Sequence, residues 1–403
     1  MRRALSLPEF VALIGMMFAT VAFSIDAMLP AMSEIAAELT PGAPNNAQLI
    51  ITSFVLGMGI GTLFTGPLSD TFGRKPVIVG GAVVYIAGAV LAWAASSLEW
   101  LLIARVLQGL GAAGPRIAAL AIVRDLYSGR QMARVMSFAM IVFTLVPAIA
   151  PLAGAGIIYL AGWRAIFIAF VLFSVISVTW MSLRQAETLA LEARRPFSIR
   201  VIADGVGEVM RNRQVVLVIV VLALTFGMLF LTLSTAQLVF DQTFGRADSF
   251  AYWFGGVALM SGAASLLNAR IVVQVGMRRV VSLTLAGQIV TAGAMSVLAA
   301  TQALTGDAYF YIYVFWVLTV FFVAGLTIGN LNALGMEPLG HLAGLGASII
   351  GSIATIGAVL IAVPIGLAFD GTPLPIAFGV LIAAVLALWV MRVLGPGAAV
   401  VQP

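Results

Sequence analysis

The chain is written in long apolar runs separated by short polar ones. A helix that crosses a bilayer needs about 20 mostly apolar residues, and twelve stretches meet that length. In the first half they lie approximately at 10–32, 49–67, 77–95, 100–123, 136–161 and 165–183. The second half offers 215–240, 251–267, 280–300, 309–335, 342–369 and 374–391. Between the two sets runs 184–213, the longest polar stretch, rich in arginine and glutamate, with a surface helix predicted over 201–210. The pattern predicts an all-α membrane protein: a six-helix bundle at 1–183, a linker at 184–213, and a second six-helix bundle at 214–403.

Composition supports that reading. Of 403 residues, 62% are hydrophobic and 9% charged, with a mean hydropathy of +1.11. A soluble domain carries about 25% charged residues, so the solvent here is lipid. The net charge of +5 is spread over loops, and without a continuous basic face no nucleic-acid partner is expected. There is no cysteine, which excludes disulfides and thiolate chemistry. A single histidine, His341, makes no metal cluster by itself, and neither a metal nor a cofactor is expected. Arg2 and Arg3 before an apolar run imitate a signal peptide, but the many spans that follow favour a retained first helix.

Placing the N-terminus in the cytoplasm puts Arg2, Arg3, Arg74, Lys75, Arg124, Arg130, Arg134 and the linker arginines on that side. Arg270, Arg278, Arg279 and Arg392 join them, and the outer side keeps only Arg164 and Arg246 among several acids. By the positive-inside rule both termini are cytoplasmic.

Within the twelve spans stand three charged side chains: Asp26, Arg105 and Arg116. Charge inside a bilayer costs about 2.5–3.5 kcal/mol and marks function by default. Asp26 sits late in an outward-running span and Arg105 early in an inward-running one, so the two share a depth and could pair. Substrate arrival or solvent access would then alter the proton affinity of Asp26. Arg105 opens Arg-Val-Leu-Gln-Gly-Leu-Gly-Ala-Ala113, with Gln108 on its face of the helix. Arg116 follows almost three turns later on the same face, about 16 Å along the axis. It either contacts substrate or a carboxylate in a central cavity, or makes a structural contact with a neighbouring backbone.

Further motifs occupy the rest. Gly66-Pro-Leu-Ser-Asp-Thr-Phe-Gly-Arg-Lys-Pro-Val-Ile78 reads as a charged turn between spans two and three, with Gly66 and Gly73 bracketing Asp70 and with Arg74 and Lys75 at its end. Asn268-Ala-Arg-Ile-Val-Val-Gln-Val-Gly-Met-Arg-Arg279 echoes it in the second half, with Val273 where Asp70 would be. Pro147-Ala-Ile-Ala-Pro-Leu-Ala-Gly-Ala-Gly156 places Pro147 and Pro151 inside a span, which bends a helix, and Gly154 and Gly156 allow close packing. Glu337 and His341 read as capping or structural residues.

The spacing G-x-L-x-D-x-x-G-R-K at Gly66–Lys75 resembles the signature loop of the major facilitator superfamily. The R-x-x-Q-G at Arg105, the proline–glycine run at Pro147–Gly156 and Gly162-Trp-Arg-Ala-Ile-Phe167 resemble motifs of its drug exporters. Asn332–Gly344 is similar to the matching segment of the bicyclomycin- and chloramphenicol-resistance type. Ala155 replaces the usual second glycine of the antiporter motif. The resemblance implies a proton-coupled antiporter of the bacterial inner membrane, monomeric, exporting small amphipathic drugs by alternating access. It implies proton transfer at Asp26 and Arg105, and a latch of Asp70, Arg74 and Asp125 in the outward-open state. Two arginines against one acid favour neutral or anionic substrates. Export of a specific metabolite is the alternative reading. A channel stays open in principle, and a lipid-modifying enzyme would need a clustered nucleophile, base or metal site. An ATP-driven pump is excluded, because Lys75, the only lysine, precedes proline rather than Ser or Thr.

Overall fold

The computed structural model describes residues 5–395, apart from the side chains of 133, 137, 140, 142–144 and 343. Arg2 and Arg3 lie outside the described residues. Among the described residues there are fourteen α-helices and no strand. They are α1 (Leu7–Asp26), α2 (Met32–Leu39), α3 (Leu49–Phe72), α4 (Arg74–Trp93), α5 (Leu98–Leu126), α6 (Gly129–Ala161) and α7 (Ala165–Arg184). After these come α8 (Ile199–Arg211), α9 (Arg213–Leu238), α10 (Phe250–Val275), α11 (Met277–Thr301), α12 (Gly306–Met336), α13 (Ala343–Leu367) and α14 (Leu374–Leu394).

Eleven stretches are long and apolar enough to cross a bilayer, and the 33-residue α6 adds the shorter apolar run Leu145–Ala161. Side-chain oxygens cap several N-termini, as Ser97 does for the Trp100 N–H and Asn212 for the Val215 N–H. The surface is inverted relative to a soluble protein: Leu160 is 82% exposed and Leu360 70%, while Arg105 and Gln108 are fully buried. In a lipid solvent apolar side chains face outward at no penalty, and polar ones seek partners within the bundle.

Cα packing divides the chain into two compact units: Met1–Ala203 with Asp248–Leu259, and Asp204–Ala247 with Met260–Pro403. In the first, glycines bring helix backbones together along α3, α4 and α5. A Cβ on Gly57 would lie 2.0 Å from the Val106 carbonyl oxygen, and one on Gly111 2.2 Å from the Tyr85 nitrogen. Near the start of α1 a buried cluster of Phe10, Leu13, Met17, Ile78, Ile122 and Met181 fills the interior. Glu9 there accepts two hydrogen bonds from Arg184, tying α1 to the end of α7.

In the second unit, Phe240, Phe244, Phe310 and Tyr313 pack edge to face and tilted against one another. Asn330 of α12 donates to the side chain of Asn268 of α10 at 2.8 Å. Glu208 of α8 meets His341 at 2.6 Å, and Glu337 accepts from Gln214 at 3.1 Å. His341 and Glu337 therefore serve contacts between helices.

Two sequence expectations change. The first span, read over 10–32, runs further, from Leu7 to Leu39, and within it α1 passes through a short 3-10 turn at Leu29–Ala31 into α2 with the backbone helical throughout. The charged turn between spans two and three is not a turn of several residues. Gly66 through Phe72 are the last part of α3, α4 begins at Arg74, and the reversal is made at Gly73 alone, with φ 101° and ψ 164°. That conformation is open chiefly to glycine.

Candidate functional site

Asp26 is the last residue of α1 and is 5% exposed. Among the described residues nothing forms a hydrogen bond or ion pair with its carboxyl. Just beyond it α6 presses on the backbone: a Cβ on Gly154 would lie 2.1 Å from the Ala27 carbonyl oxygen. Gly156, two residues on, has open space beside it. Of the two glycines, Gly154 makes the close approach, and it does so at the peptide next to Asp26. Pro147 and Pro151 stand inside α6.

Arg105, in α5, joins two neighbouring helices to its own. Its Nε donates to the Ile50 carbonyl of α3 at 3.1 Å, its Nη2 to the Ser24 carbonyl of α1 at 3.0 Å, and its Nη1 to the Gln108 side chain at 2.6 Å. Its guanidinium also lies 4.5 Å from the centroid of the Phe54 ring, a favourable cation–π distance. The expected ion pair with Asp26 is not formed in this structure. Arg105 instead holds the backbone two residues before the acid. The Ser24 carbonyl is open to it because the Met28 N–H bonds to Ile25 instead, as α1 tightens toward the 3-10 turn. Beside that carbonyl the Ser24 hydroxyl meets the Tyr85 hydroxyl of α4 at 2.5 Å, a buried contact that no sequence motif announced.

Arg116 is half-buried in α5. Among the described residues its one hydrogen bond runs from Nη1 to the thioether sulfur of Met58 at 3.7 Å. The neighbouring-backbone contact that the sequence left open is absent among the described residues.

At the far end of the same unit, Arg74 sits between two acids. It reaches Asp70 at 2.6 Å and Asp125 at 3.0 Å, and Nη1 also donates to the Ser69 hydroxyl at 3.1 Å. Asp70, Arg74 and Asp125 are thus brought together. Lys75 stands apart from them and donates to the Ser182 carbonyl in the last turn of α7. In the second half Arg278 does the same for α14, donating to the carbonyls of Leu394 and Gly395. Each is the second residue after a positive-φ glycine, Gly73 or Gly276. Cations near a helix C-terminus complement its dipole.

Sequence reading missed Glu187, in the linker. Its carboxylate accepts the backbone N–H groups of Arg74 at 2.9 Å and Lys75 at 3.0 Å, capping α4. The N–H groups of Thr188 and Leu189 donate to it as well. Burial by itself would raise this carboxyl, but the four backbone donors hold it below the usual glutamate value. Thr188 adds a hydroxyl bond to Asp125 at 2.7 Å. Another cluster was also missed: Glu38 of α2 binds Arg164 at 2.7 Å and the Trp163 indole N–H at 2.8 Å.

A buried acid with no partner among the described residues, an arginine bridging three elements and a series of membrane-length helices describe a polytopic membrane protein. The chain belongs to the major facilitator superfamily, whose sequence profile matches residues 11–362. A bicyclomycin resistance protein homolog from Haemophilus influenzae is 32% identical over 280 residues, covering 69% of this chain and 70% of that one. The multidrug resistance protein MdtL of Salmonella dublin is 30% identical over 289 residues, covering 70% of each chain. Among solved structures, the partially occluded inward-open form of the Escherichia coli xylose transporter XylE is similar, with a TM-score of 0.73. The match covers 97% of this chain and 98% of that one at 12% identity, which speaks for the fold alone.

Proposed function

We propose that the protein is a proton-coupled antiporter that exports small amphipathic drugs by alternating access, a transporter and not an enzyme. The names of its relatives, which refer to bicyclomycin and multidrug resistance, support the substrate class. The basic residues concentrated at one end of the spans support a bacterial inner-membrane protein with both termini cytoplasmic. The chain works as a monomer, in which residues 184–213 link the two six-helix halves.

The observation that carries the reading is Asp26: a carboxyl group within the first span, nearly buried, with no partner among the described residues. Such a group exchanges a proton without having to break a fixed ion pair. Protonation neutralises it and releases the bound drug, and deprotonation towards the cytoplasm resets the cycle. Arg105 and Gln108 set the position of the α1 terminus that bears it. Asp70, Arg74 and Asp125 act as the cytoplasmic latch. Ordinary surface pairs contribute little stability, so the value of this cluster is as a switch.

The test is reconstitution in liposomes with an imposed pH gradient. Native protein drives drug accumulation, whereas Asp26→Asn gives none above the level without a gradient. Equal accumulation by both would remove Asp26 from the coupling.

A further inference from the structure

Arg116 stands just past the midpoint of the 29-residue α5. Helical side chains lean toward the N-terminus of their helix, which carries this guanidinium back toward the middle of the span. Its contact with Met58, itself near the middle of the 24-residue α3, fixes it there. Snorkelling to the nearer helix end at Leu126 would require the opposite direction.

The other arginines analysed above are satisfied. Arg105 has three oxygen acceptors, and Arg74 has two carboxylates and a hydroxyl. Arg116 offers five N–H donors, and among the described residues a weakly accepting thioether engages one of them. No carboxylate within the described residues pairs with it. Packing does not explain a charge held at this depth, because a leucine or methionine would fill the place without the insertion penalty. A guanidinium with free donors beside a polarisable methionine is suited to one kind of guest. The donors take a carboxylate in two parallel bonds, and the thioether adapts to an apolar body.

We propose that Arg116 is the anchor for an anionic group on the transported compound, so that the preferred substrate is an amphipathic organic carboxylate. This rests on the exporter reading and narrows its substrate class. Binding to the purified full-length protein of 1-naphthylacetate and its uncharged counterpart 1-naphthylacetamide tests it. The carboxylate should bind at least about tenfold more tightly, the effect of a single charge-assisted hydrogen bond. In Arg116→Gln that ratio should fall to near one, and in Arg116→Lys part of it should return.

A ratio near one in the native protein, or a ratio unchanged in Arg116→Gln, overturns the proposal. The native ratio decides even if the glutamine variant does not fold. Gradient-driven movement of both probes is recorded in proteoliposomes of the native protein. Carboxylate preference without any movement would sink the exporter reading and keep the anion site. Movement of both compounds without preference would do the reverse.

Discussion

Glu187 holds the first peptide N–H of α4, that of Arg74, at 2.9 Å from across the linker. A carboxylate at a helix N-terminus satisfies donors that the helix cannot and favours the positive end of its dipole. A Cβ on Gly73 would lie 2.6 Å from the same carboxylate. The glycine therefore makes the reversal and leaves room for the acid that secures it.

Glu187→Gln should lower thermal stability at neutral pH, because a neutral amide accepts more weakly from the four N–H groups. The carboxyl is held below its ordinary value of 4.5. Its contribution is therefore present above that value and is lost as pH falls through the depressed one. Melting of the two proteins across pH should show a gap at neutrality that closes as pH falls below 4.5. A gap of constant size would refute the charge argument.

Arg74 and Lys75 should separate in their effects. Lys75→Met removes a helix-end contact and should lower stability by about 0.3–1 kcal/mol with transport retained. Arg74→Met leaves Asp70 and Asp125 facing each other unpaired, and should cut transport severely at similar protein levels. Parallel losses of transport in both variants would contradict the division.

Gly154 and Gly156 form a second contrasting pair. Gly154→Ala places a methyl group against the Ala27 carbonyl and should destabilise the protein by about 1–3 kcal/mol. Gly156→Ala meets nothing within 4 Å and should be neutral or stabilising by up to about 1 kcal/mol, from helix propensity. Thermal unfolding in detergent reads both.

Arg105→Lys keeps the charge but cannot span Ile50, Ser24 and Gln108 at once, because an ammonium lacks the planar fork. Breaking a buried, charge-assisted network costs about 3–5 kcal/mol. The variant should insert into the membrane yet melt earlier and lose gradient-driven transport. Full activity in the lysine variant would show that charge alone suffices.

The sequence disclosed the spans well because membrane helices are read from unbroken apolar length, and starts such as Leu49, Ala165 and Leu374 coincide with the helices observed. It disclosed less wherever a contact joins distant residues. Glu187 bonds to backbone N–H groups 112 and 113 residues away, and a backbone donor leaves no trace in residue type. Glu38 meets Trp163 and Arg164 across 125 and 126 residues. The 3-10 turn at Leu29–Ala31 lay hidden because 27–32 are as apolar as the helix before them. Arg105 was legible as a buried cation, but its bonds to the Ser24 and Ile50 carbonyls leave no trace in residue type.

The matched roles of Lys75 and Arg278 have an evolutionary corollary. What both copies of the loop retain is the means of closing off the last helix of each half, and what only one retains is the ion-paired trio of Asp70, Arg74 and Asp125. Mutational drift at Val273 and Met277 should therefore be tolerated in populations of this gene, while the same changes at Asp70 and Arg74 are purged.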